Sequence, residues 1–137
     1  MAFDSWLIRF VKTGELFPHE LIQKDTYQST PLQRTEIKAY RDNENTLHRV
    51  TSPNYKTKIE FKTYKLNLQQ LTALQNKLRA AMDSYKERRL RLRYWDDELL
   101  DYREATFYMP DKTYQIITIG GTDRIRYSPL TFTFIEY

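Results

Sequence analysis

Residues 67–86 read NLQQLTALQNKLRAAMDSYK, and how this stretch folds decides the architecture of the whole chain. Leu71, Leu74, Leu78, Met82 and Tyr85 recur at three- and four-residue intervals, which places them on one stripe of a helix. Gln70, Lys77, Arg79 and Asp83 fall largely on the other side. Asn67 suits an N-cap, Gln70 at the third helical position can reach back to it, and Leu66 can staple onto Leu71. At the far end Lys86, Arg88 and Arg89 complement the negative pole of the helix dipole. The spacing predicts one helix over about residues 67–87.

Outward from this segment the pattern changes to a period of two, as in half-buried strands. Trp6, Ile8 and Phe10 alternate with Leu7, Arg9 and Val11, and Gly14 stops the run. Residues 15–31 are less regular, with Pro18 and Pro31 as punctuation and room for a short strand near Leu21 to Tyr27. From Arg34 to Tyr64 the chain reads as a long hairpin. Asp42-Asn43-Glu44-Asn45 forms its turn, because Asp and Asn side chains bond nearby backbone and tolerate left-handed conformations. Between Tyr40 and Lys56 only Leu47, Val50 and Tyr55 could anchor this hairpin in a core, so its middle should project as an arm. Beyond the helix, Arg89 to Trp95 is the cleanest strand: Leu90, Leu92 and Tyr94 take one face, the three arginines and Trp95 the other. Asp96 to Asp101 makes a turn, and further strands carry Ala105, Phe107 and Met109, then Gln115, Ile117 and Ile119 up to Gly120-Gly121. In the last strand Leu130, Phe132 and Phe134 face inward, with Pro129 at a bend or an edge. The expectation is α+β, mainly β: a two-sheet sandwich or partial barrel, one flanking helix, an extended β-hairpin arm over about residues 40–56, and a closing four-strand meander. The 137 residues suit one domain, spanning residues 1–137.

Composition narrows the function. Hydrophobic residues make up 40% and charged residues 29%, with a net charge of +4 and a pI near 9.2. That mild basicity is weak support for nucleic acid, whose dedicated binders concentrate charge on one face. Eleven tyrosines fit pleated, half-buried surfaces and also interfaces, where Tyr gives large contact area with few rotatable bonds. Without cysteine there are no disulfides and no thiolate metal sites. The N-terminus lacks the pattern of a signal peptide, and no apolar stretch approaches the roughly 20 residues of a membrane span. A protein made in the cytoplasm, with no membrane partner, is expected.

Catalytic, cofactor and metal sites are expected to be absent. His19 sits beside Pro18 and His48 inside the polar arm, and each reads more simply as an exposed, non-catalytic histidine. Three glycines, at 14, 120 and 121, leave no phosphate-cradling loop. The acidic run Asp96-Asp97-Glu98 lies in a hairpin turn, where acidic residues are ordinary. The alternative function is a nucleic-acid-binding module on the face of Arg89, Arg91 and Arg93, with Trp95 available for stacking. Against it, Glu104 and Glu98 on the neighbouring strand can pair across to the arginines and explain the ladder without a ligand.

Several strings carry a resemblance. MAFDSWLI (residues 1–8), Tyr40-Arg41-Asp42-Asn43 leading into His48-Arg49-Val50-Thr51, Phe107-Tyr108-Met109-Pro110-Asp111, and Phe134-Ile135-Glu136-Tyr137 are similar to small tail proteins of prophages from Gram-positive bacteria. The order of elements resembles the tail-tube fold of long-tailed bacteriophages, shared by tube subunits and distal tail proteins. That resemblance covers nearly the whole chain. It implies a structural protein of the virion tail, assembled in the bacterial cytoplasm into a ring, commonly a hexamer, near the tail tip. Its implied partners are copies of itself and neighbouring tail proteins (tube, tape measure and tail-tip hub), with DNA in the lumen making non-specific contact at most. The arm would form the subunit interface, through Tyr40, Arg41, Asn43, His48, Arg49, Tyr55 and Lys56. The chain has no room for the carbohydrate-binding domain of larger distal tail proteins.

Overall fold

A computed structural model describes residues 3–33, 36–51, 56–120 and 124–137, with backbone alone for 36–40 and 48–51. Helix α1 (Leu68–Ala81) is where the periodicity put it, and its start has the expected chemistry. The Asn67 side chain accepts from the Gln70 amide at 2.8 Å, and the Gln70 side chain accepts from the Asn67 amide at 3.1 Å. Leu71, Leu74, Leu78 and Ala81 are buried, in one core with Leu66.

The helix ends earlier than its spacing predicts. Met82–Ser84 turns extended and pairs antiparallel with the strand that starts at Arg89. Met82 is still buried, but from a strand, and Tyr85 is 67% exposed. Lys86 and Arg88 thus belong to a tight turn, where Arg88 takes a left-handed φ of 51°, and Arg89 opens the next strand. Period alone could not see that backbone pairing with a neighbour would replace the helix's last turn.

The strands in chain order are β1 (Ile8–Phe10), β2 (Gln28–Gln33), β3 (Glu36–Arg41), β4 (Leu47–Thr51), β5 (Lys56–Lys62), β6 (Leu66–Asn67), β7 (Met82–Ser84), β8 (Arg89–Asp96), β9 (Asp101–Tyr108), β10 (Ile116–Thr118), β11 (Arg126–Tyr127) and β12 (Thr131–Glu136). The main sheet has seven strands in the order β1-β8-β9-β12-β5-β2, with β7 also on β8. Every pairing in it is antiparallel. Its two ends are joined by one segment. Phe17 donates its amide to Ile8 at the β1 end, while Gln23 donates to Lys62 and Tyr64 to Leu21 at the β5 end. The sheet therefore curls toward a partial barrel around Phe10, Phe17, Phe61, Phe132 and Phe134, and α1 adds its leucines to the same core.

The strand expected near Leu21 to Tyr27 is displaced. A 3-10 turn occupies His19–Leu21, and regular pairing begins only at Gln28. Pro31 is accommodated because β2 is an edge strand, with a register shift between Thr30 and Gln33. The closing meander also divides. β8, β9 and β12 lie in the main sheet, whereas β10 and β11 pair with β6 in a separate three-stranded sheet. Pro129 stands between β11 and β12, at the expected bend. Ser52, Pro53, Asn54, Tyr55 and Gly121 lie outside the described residues.

Candidate assembly surface

The long hairpin has two nested halves. At its base β2 pairs with β5 up to Gln33 opposite Lys56, and further out β3 pairs with β4 from Glu36–Thr51 to Arg41–Leu47. The outer half forms a two-stranded sheet of its own, and among the described residues neither strand pairs with a third. A two-stranded ribbon is marginal in water by itself, and unpaired strand edges are templates for another chain.

The tip is built as its residue types require. Asp42 Oδ1 accepts from the amides of Glu44 (2.9 Å) and Thr46 (3.0 Å), Asn45 adopts φ 64°, and Arg41 donates to the Asn45 carbonyl at 3.1 Å. Arg41, Asn43 and Glu44 are exposed, and Leu47, which the sequence offered as an anchor, is 48% exposed. Tyr40 stands opposite His48 and Ala39 opposite Arg49 in the backbone register. Tyr55 is outside the described residues. Lys56 belongs to the body of the fold: it opens β5, and its Nζ donates to the Tyr137 carbonyl at 2.8 Å.

The arginine ladder lies on the outer face of β8, and its charge is partly met across the strands. Arg91 and Arg93 reach Glu104 at 3.6 and 3.3 Å, and Arg89 pairs with Glu87 at 3.1 Å. Glu104 is one of the two partners the sequence named; the other, Glu98, lies in the turn between β8 and β9 rather than on the strand. Trp95, expected to be open for stacking, is 8% exposed. Phe3 and Tyr102 meet its ring edge-on at 5.1 and 5.2 Å, so a base has no free indole face to stack on. The N-terminal segment causes this by crossing that face, where Trp6 stacks on Tyr102 at 4.0 Å.

His19 is not a free surface histidine. Its Nε2 accepts the Leu7 amide at 3.0 Å, and burial lowers its pKa while Glu20 partly restores it. Among the described residues no group of three His, Asp or Glu side chains could hold a metal ion, and no helix is long and apolar enough to cross a membrane.

Sequence reasoning missed the apolar surface of β10. Ile116, Ile117 and Ile119 are 45%, 48% and 81% exposed, although the run was read as one more strand of the meander. Isoleucines at adjacent positions, on both faces of a strand, are the signal that could have found it, because that pattern belongs to strands covered on both sides. β10 is also an edge strand, paired only with β11 among the described residues.

All of residues 1–137 match a family of unknown function, DUF6711. The chain belongs to that family. No curated protein and no solved structure matches this DUF6711 chain.

Proposed function

We propose that this DUF6711 protein is a structural subunit of a bacteriophage tail, forming a ring at or near the tail tip that joins the tube to the distal apparatus, with DNA passing through the lumen. The observation that supports an assembly role is the outer half of the long hairpin, an ordered turn on a ribbon paired to no other strand among the described residues. The placement in a tail rests on the resemblance of the terminal, arm and Phe107–Asp111 strings to small prophage tail proteins. A head-to-tail ring needs two unlike patches on each subunit. The arm is one, and the open apolar edge of β10 is the other.

The test removes the arm without touching the sheet. Gln33 and Lys56 are paired, so residues 34–55 can be replaced by a two-residue Asn-Gly turn that closes β2 onto β5. The intact chain should form rings by negative-stain imaging and mass measurement, and the shortened chain a folded monomer. Rings that survive the replacement would sink the reading. Ile117→Lys on β10 should break the same rings while leaving the fold intact.

A further inference from the structure

A cavity of about 240 Å³ opens between the second half of α1 and the loop that follows β9. Its charged lining is entirely cationic: Arg79 from the helix, Arg88 from the β7–β8 turn and Lys112 from the loop. Gln75 donates to the Tyr114 hydroxyl at 2.7 Å and ties the helix to the loop across one wall. Lys112 is held inward, its Nζ 4.3 Å from the centre of the Phe132 ring and 3.4 Å from the Met109 sulfur. Asp111 pairs with Arg88 at 2.6 Å but does not line the cavity and is itself almost fully exposed. Among the described residues neither Arg79 nor Lys112 forms an ion pair with an acid, so two of the three cations lack one.

We propose that this cavity is a binding site for one phosphate-type dianion, gripped by Lys112, Arg88 and Arg79. Arginine forks and a lysine point charge are the donors that oxyanion recognition uses. The volume exceeds that of a few waters and is large enough to admit a tetrahedral group. The state of Lys112 agrees with this: burial first and Arg88 second lower its pKa to about 8, as expected for an ammonium lacking its counter-charge. The site is distinct from the arm and does not depend on ring formation.

The experiment uses the full chain near pH 7, where Lys112 is charged, with inorganic phosphate, acetate and chloride compared at equal ionic strength. Phosphate should bind saturably by calorimetry, raise the melting temperature and move the Lys112 titration upward by NMR. Lys112→Met should weaken binding by about tenfold or more. That variant removes a buried charge and so should fold. Arg79→Ala, at an exposed helix position, should weaken binding several-fold without loss of stability. Acetate acting as well as phosphate, no saturable phosphate binding, or unchanged affinity in Lys112→Met would each overturn the proposal.

Discussion

At the residue scale, His19 shows how a side chain can lose its sequence reading to one backbone amide. Beside Pro18 it looked like a surface histidine, yet the chain folds the Leu7 N–H onto Nε2, which can accept only while the imidazole is neutral. Burial holds its pKa below 6.5. A lowered histidine pKa means that the unfolded chain takes up the proton first. The contribution is therefore complete above the ordinary value and declines as pH falls below it. Urea midpoints should drop between about pH 7 and pH 5, a window largely above the ordinary carboxylate range. His19→Gln, whose amide oxygen can still accept from Leu7, should flatten that drop. An equally steep profile in the variant would assign the effect to other groups. Nothing at positions 18–20 could announce this role, because the donor arrives from another part of the chain.

At the element scale, the helix start was legible because capping is local chemistry. Asn67 and Gln70 satisfy each other's backbone amides within four consecutive residues. Asn67→Ala should cost about 1 kcal/mol of stability in chemical denaturation. A change near zero would mean that packing alone positions the first turn. The helix end was not legible, since it depends on Met82–Ser84 pairing with β8. β8 itself was read correctly in both faces, Leu90, Leu92 and Tyr94 inward and the arginines outward, because alternation needs no knowledge of neighbours. Which face was wet did need that knowledge. Trp95 points to the arginine side and is still buried, under Phe3 and beside Tyr102. β10 departs in the opposite direction: expected as one more strand of the closing meander, it joins the small sheet with β11 and β6, and its isoleucines lie exposed.

At the scale of the whole molecule, Phe17 marks what closes the curled sheet. It lies in the stretch that lacks regular alternation, yet it is fully buried, edge-on to Phe10 at 6.2 Å, Phe61 at 5.0 Å and Phe132 at 5.6 Å. These rings come from β1, β5 and β12, so one side chain links strands from both halves of the sheet. Phe17→Ala should cost about 3–5 kcal/mol, a large share of the roughly 5–15 kcal/mol that keeps a domain folded. A loss under about 1 kcal/mol, measured by the same denaturant titration, would show that the sheet closes without it. The arm sits at the other extreme of the same fold. Between Tyr40 and Lys56 the sequence offers few apolar residues, and Leu47 is half exposed, so removing the outer hairpin should leave the phenylalanine core intact.

By itself the sequence determined what local periodicity and short-range hydrogen bonding control. These are the single capped helix, the mainly β character, the two faces of β8 and β12, and a hairpin too poor in apolar residues to stay in the core. Tertiary structure alone decided where α1 stops, which strands share a sheet, that 16–23 bridges its two ends, and that β10 is left uncovered. It also brought Arg79, Arg88 and Lys112 around one cavity, although they sit on three separate elements. The physical reason is the same in each case. Caps and alternation depend on residues within a few positions of one another, whereas sheet partners, burial and charge clusters depend on segments that meet only when the chain has folded.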